Sequence, residues 1–267
     1  MTSFSEAYYR RFSGIARLYG EQALANFQKA HICVIGIGGV GSWAVESLAR
    51  SGIGMITLID MDDICLTNTN RQIHALQKHV GDLKTEIMAQ RVLQINPECQ
   101  VDCIDDFINP ENVTDLLGNK EHKKFDYVID AIDSVRDKAA VLAHCRRHKI
   151  KVITIGGAGG KKDPTQIKIT DLGKTIQDPL AAKLREQLKT KFGVKRDSKG
   201  KFGIECVYST EQLTYPAQDG GVCFSKSEAD GAKKMDCESG FGSITNVTAT
   251  FGFVAVARIL EKLAKAV

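Results

Sequence analysis

The chain has 267 residues, of which 43% are hydrophobic and 25% charged, with a net charge of +4. That length and apolar content suffice for a sizeable core, and so mild a charge confers no general affinity for nucleic acid. Eight cysteines, at 33, 65, 99, 103, 145, 206, 223 and 237, are too sparse for a disulfide scaffold and include no C-x2-C pair, so no structural zinc is expected.

The first thirty residues read as a helical extension with aromatic and basic side chains, "AYYRRFSGIARLYGEQALANFQ". Tyr8, Tyr9, Phe12 and Tyr19 are expected to pack it onto a partner. No basic leader with an apolar run precedes it, so a cytoplasmic setting with reduced thiols is expected.

Strand and helix patterns then alternate, the signature of a doubly wound, mostly parallel α/β sheet of Rossmann-like type. Strands are expected at 32–35, 55–59, 101–104, 127–129, 152–155 and 166–169. Helices are expected at 40–50, 84–95, 110–117, 135–148 and 179–190. Between the first strand and helix runs Gly36-Ile37-Gly38-Gly39-Val40-Gly41. Glycines there let the backbone turn sharply and approach a phosphate closely, while the helix start offers unpaired N–H groups to anionic oxygen. Asp60, ending the second strand, suits a ribose hydroxyl.

A redox dinucleotide and a consumed ATP would both fit that turn. The segment after Asp60 favours ATP, because Asp62, Asp63, Asn68, Asn70, Arg71 and Gln72 crowd into the thirteen positions from 60 to 72. Amides and a guanidinium fork match phosphate oxygens. Lys84 opens the next helix, where a cation opposes the helix dipole and a bound anion explains it best. Asp130 and Asp133, in "VIDAIDS", stand at the ligand-binding edge of the sheet, where a carboxylate can hold Mg2+ against phosphate.

Downstream, residues 183–202 hold eight basic and two acidic side chains, a patch suited to RNA phosphates or to an ordinary solvated face. Residues 216–236 read as a mobile loop. The uncharged stretch 240–257 is near spanning length, but its Ser, Thr and Asn point to a tightly packed helix; membrane association is the lesser reading.

The set GIGGVG, "IDMDDICLTNTNRQ", Lys84 and "DAIDS" resembles the ubiquitin-activating-enzyme-like adenylyltransferase superfamily. "ARLYG", "NRQIHAL", "INPECQV", "GGAGGKKDPTQI", "TDLGKTIQDPLAAKLR" and "MDCESGFG" resemble one branch, which dehydrates threonylcarbamoyladenosine in tRNA. The likeness covers nearly the whole chain. It implies a single ATP-binding domain over 1–267, with a helical extension at 1–30, a nucleotide-binding core at 31–170 and a carboxy-terminal part at 171–267.

The resemblance implies that Gly36, Gly38, Gly39 and Gly41 line the ATP phosphates and that Asp60 binds the ribose. Asn68, Asn70, Arg71 and Lys84 would contact the triphosphate, with Asp62, Gln72 and Asp130 also at the nucleotide and Asp133 holding Mg2+. Arg71, Lys84, Asp133 and Arg17 would be the catalytic set. Gly14 stands where the superfamily places an arginine that reaches the partner's ATP, and Arg17 is the candidate for that contact in a homodimer. The implied partners are tRNA and, through Cys237 as sulfur acceptor, a cysteine desulfurase. His74 is expected to be structural or to position Arg71. Two other readings stay open, an adenylyltransferase for a ubiquitin-like sulfur carrier and a non-catalytic scaffold.

Overall fold

The computed structural model describes residues 4–122, 124–217, 219–224 and 241–265. Its centre is a seven-stranded sheet in the order β3-β2-β1-β4-β5-β7-β6. The strands are β1 (His31–Ile35), β2 (Met55–Ile59), β3 (Gln100–Ile104), β4 (Tyr127–Asp130), β5 (Val152–Ile155), β6 (Ile167–Asp171) and β7 (Glu205–Ser209). All neighbours are parallel except β6 and β7, which pair antiparallel with Ile167 opposite Ser209.

The inner strands are apolar at successive positions because both faces of the sheet are covered. Ile32 and Val34 of β1 point into one core with Ile56, Leu58, Ile129 and Ile153. Cys33 and Ile35 point into the other, with Val128, Val152 and Cys206. The first face carries α2 (Glu21–Lys29), α3 (Gly41–Arg50), α4 (Lys84–Ile95) and α8 (Thr245–Ala264). The second carries α5 (Val113–Leu117), α6 (Val135–His148) and α7 (Pro179–Thr190).

Helix α8 accounts for the near-spanning stretch. Gly252 lies so close to α3 that a Cβ there would stand 2.8 Å from the Val40 carbonyl oxygen and 2.9 Å from the Ala44 nitrogen. Small residues let the two helices touch backbone to backbone. Among the described residues, no helix is long and apolar enough to cross a membrane.

The amino-terminal helix α1 (Glu6–Tyr19) packs two of its aromatics, Tyr8 and Phe12, on its own chain, while Tyr9 is exposed. Tyr8 and Phe12 are buried with Ala16 and Leu24, and the Tyr8 hydroxyl donates to the Gly52 carbonyl at 2.5 Å. The expected loop at 216–236 is partly ordered, since Tyr215–Pro216 (β8) pairs antiparallel with Val222–Cys223 (β9). Its remainder from 225 on lies outside the described residues.

Candidate functional site

In β1 and β4 the sheet order reverses, and the crevice beyond their carboxyl ends is where such sheets bind ligands. A cavity of about 840 Å3 opens there. Of the residues expected at the nucleotide, it is lined by Gly36, Gly38, Gly39, Asp60, Asp62, Asn68, Arg71, Gln72, Lys84 and Asp133.

The glycine loop is built by backbone contact. Gly36 has φ +86°, and a Cβ on Gly41 would fall inside bonding distance of the Gly36 carbonyl oxygen. Gly41 therefore seats the loop on α3 and does not itself line the cavity. Asp60 braces the loop from beneath, accepting from the Ile37 N–H at 2.6 Å and the Asp62 N–H at 2.8 Å. Burial pushes the Asp60 carboxyl up, and the Lys84 ammonium and these N–H groups work against that.

His74 holds the same loop. It is buried, with Nε2 2.8 Å from the Ile37 carbonyl oxygen, and burial lowers its pKa to about 4. A neutral imidazole donating from Nε2 satisfies this geometry. Its contact is thus with the glycine turn, not with Arg71.

The cations stand beside the glycine loop, the Arg71 side chain packing against Gly39. Lys84 Nζ lies 2.6 Å from Asp62 Oδ2; the lysine side chain is 7% exposed and the aspartate 52%. Arg71 Nη1 donates to the Thr67 carbonyl at 2.8 Å and to Asn70 Oδ1 at 3.0 Å. The Arg71 carbonyl accepts from Trp43 Nε1 at 3.0 Å, which ties this segment to α3.

Besides Gly41, three expected residues lie elsewhere. Asn70 does not line the cavity. Its Nδ2 donates to the Ser243 carbonyl at 2.8 Å, and its own carbonyl receives the Thr245 N–H at 3.0 Å, anchoring the start of α8. Asp130 is wholly buried, 3.0 Å from the equally buried Lys138 ammonium and hydrogen-bonded to Thr154 at 2.6 Å. Burial raises its pKa, and Lys138 and Thr154 hold it back. Lys138 also donates to the Ile132 carbonyl at 3.0 Å, so the pair fixes the turn that carries Asp133. Arg17 sits on the exposed side of α1, which rests against the amino ends of β2 and β3 through Gly52 and Glu98, away from the cavity of its own chain.

Asp133 itself is exposed on the rim, and among the described residues no side-chain hydrogen bond or ion pair ties it down.

Residues 9–266 match the sequence pattern of the ThiF family. The chain is 64% identical over 259 residues to a tRNA threonylcarbamoyladenosine dehydratase of Escherichia coli (strain K12), covering 97% of this chain and 95% of that one. The chain belongs to the ThiF family, in its tRNA threonylcarbamoyladenosine dehydratase branch. Two solved structures of an E. coli tRNA N6-threonylcarbamoyladenosine dehydratase, one with ATP and one with AMP, superpose on it with TM-scores of 0.86. Their identities are 58% and 59%, and each covers 98% of this chain and 97% of its own.

The ThiF-type site also has a wall drawn from the branch phrases "GGAGGKKDPTQI", "TDLGKTIQDPLAAKLR" and "MDCESGFG", to which the sequence alone assigns no site role. Gly156, Gly157 and Gly159 after β5, Leu180 and Lys183 of α7, and Phe241 also line the cavity. Asp178 builds that wall by accepting from the Gly157 N–H and capping α7 through the Ala181 N–H, both at 2.9 Å. Lys183 is the first cation of the basic segment, so the segment begins in the cavity. Leu184 and Leu188 bury on the inner face of α7, Arg185 is half-buried against Leu172 and Thr175, and Lys189 is exposed.

Burial pushes the thiols of Cys33, Cys99, Cys145 and Cys206 up, Cys99 to about 12, which leaves none of the four nucleophilic. Cys237 lies outside the described residues. Among the described residues no group of three or more His, Cys, Asp or Glu is placed to hold a metal ion.

Proposed function

We propose that this chain uses ATP to dehydrate the threonylcarbamoyl group on a tRNA adenosine beside the anticodon. The carboxylate of that group attacks the α-phosphorus of ATP, giving an acyl adenylate and pyrophosphate. A neighbouring group of the same modification then attacks the activated carbonyl. The ring closes, AMP leaves with the former carboxylate oxygen, and the net change is loss of water.

One observation carries this reading: a single cavity joins a glycine turn, an arginine, a lysine and a rim aspartate in a chain 64% identical to a dehydratase of that kind. The N–H groups of the turn and α3 receive the phosphates, and Asp60 receives the ribose. Charge builds on the departing pyrophosphate, and Arg71 and Lys84 stand preplaced to stabilise it. The nucleophile of the second step belongs to the substrate, so the site needs to hold and orient rather than supply a thiol.

Asp133 suits Mg2+ bound by one carboxylate with phosphate and water completing the shell, the usual habit of that ion. There Mg2+ would neutralise phosphate charge. Exposed Leu66, Leu76, Val80 and Phe253 support a homodimer, within which Arg17 would reach the partner's nucleotide. The cations of 183–202 would meet tRNA phosphates, and the setting would be cytoplasmic.

Mass spectrometry of nucleosides from threonylcarbamoylated tRNA incubated with the protein and ATP tests the proposal. A product lighter by one water is expected; an unchanged nucleoside with ATP consumed would refute it.

A further inference from the structure

Beside the catalytic cavity lies a second one of about 330 Å3, and the two share Pro179 and Leu213 in their walls. One side of the second cavity is α7, through Pro179, Ala182 and Arg185, which recur every three residues on one helix face. The other side is the β8–β9 hairpin, through Tyr215 and Phe224. Gln177, Gln212 and the buried Asp178, whose carboxylate is engaged by the Gly157 and Ala181 N–H groups, complete it.

Arg185, the Gln177 backbone and Tyr215 are held in place. The Arg185 guanidinium donates to the Thr175 hydroxyl and to the carbonyls of Leu172 and Thr175. Gln177 adopts φ +53°, unusual for a residue with a side chain, and its carbonyl receives the buried Lys161 ammonium at 3.1 Å. The Tyr215 ring packs against Phe241 at 5.2 Å and a tilt of 45°, and Phe241 also lines the catalytic cavity. Phe224 is 60% exposed, a large apolar surface left open to solvent at the edge of the cavity.

Aromatic faces, a fixed guanidinium plane and two side-chain amides match the way proteins take an unstacked base, by stacking and by hydrogen bonds to its edge. The eight cations between 183 and 202 continue from the same helix, so the surroundings are charged to receive an RNA backbone. We infer that the second cavity is a nucleobase subsite, taking one base of the anticodon loop that flanks the adenosine under modification. The inference rests on the proposed tRNA substrate. It would let the enzyme grip the loop by a splayed neighbour while the threonylcarbamoyl group enters the adjoining cavity.

The test is tRNA binding by fluorescence anisotropy across a salt series, for wild type, Phe224→Ala, Tyr215→Ala and the ring-conserving Phe224→Tyr. Each alanine variant should weaken binding by roughly 5- to 150-fold with an unchanged salt slope, and Phe224→Tyr should restore it. A tRNA made abasic on one side of the modified adenosine should lose the same factor with wild type, and Phe224→Ala should add nothing to that loss. Wild-type affinity in both alanine variants, or full additivity with each abasic tRNA, would overturn the subsite alone if wild type still binds and cyclises the tRNA. Absence of wild-type tRNA binding would overturn the proposed substrate and the subsite together.

Discussion

The Lys84 ammonium, nearly buried at the first turn of α4, lies 2.6 Å from the half-exposed carboxylate of Asp62. A cation at a helix amino end opposes the dipole, and here the Asp62 carboxylate compensates it. A triphosphate would offer Lys84 a stronger partner and release Asp62 toward solvent.

Removing the lysine should therefore act on the reaction. Lys84→Ala should lower the rate of ATP-dependent dehydration by roughly 100- to 1,000-fold, as loss of one preplaced donor to developing charge does. Asp62→Asn should act on the empty protein instead. It strands a buried cation, lowering stability by about 1–3 kcal/mol, and ATP should raise the melting temperature more in this variant than in wild type. Thermal unfolding with and without ATP checks both halves.

The Lys138–Asp130 pair should be sensitive to loss of one member and tolerant of losing both. Lys138→Ala leaves a fully buried carboxylate alone and should cost about 3–5 kcal/mol by urea unfolding. Lys138→Met combined with Asp130→Asn should recover much of that. Because Lys138 also holds the Ile132 carbonyl, the single variant should raise the Mg2+ concentration needed for half-maximal activity, through the displaced Asp133 turn.

The parallel strands and their helices were legible because apolar β-branched runs alternate with helical spacing, and the glycine turn and acidic strand ends fall between them. Strand β7 was not. Glu205, at its start, looks like a solvent residue, yet it is tied to Arg258 at 2.6 Å and to Tyr127 at 3.3 Å. Its neighbours Cys206 and Val207 fill the two cores between β5 and β6. The role of Asn70 was hidden too, because its partner Ser243 lies 173 residues away, and that of Asp130 because its burial with Lys138, eight residues on, shows only in the fold. Lys183 was visible as one charge among eight and as part of the phrase "TDLGKTIQDPLAAKLR", with nothing to place it in the cavity.

His74 should give a pH signature. Burial lowers its pKa from the ordinary 6.5 to about 4, so the unfolded chain takes up a proton in that window and the folded one does not. The stability contributed by a neutral His74 is full above 6.5 and declines as pH falls toward 4, by up to about 3 kcal/mol. Chemical unfolding at several pH values should show a shallower decline in His74→Gln than in wild type.

Gly41→Ala should unseat the glycine turn, since its Cβ cannot coexist with the Gly36 carbonyl. The overpacking should cost about 1–3 kcal/mol, read as an ATP affinity roughly 5- to 150-fold weaker by calorimetry.

The central claim is that the substrate carboxylate is activated by attack on the α-phosphorus of ATP. It is tested most directly by placing heavy oxygen in that carboxylate and weighing the nucleotide products of one turnover. The account predicts one heavy oxygen in AMP and none in pyrophosphate. Unlabelled AMP, with the label in an inorganic phosphate product or in solvent, would contradict it.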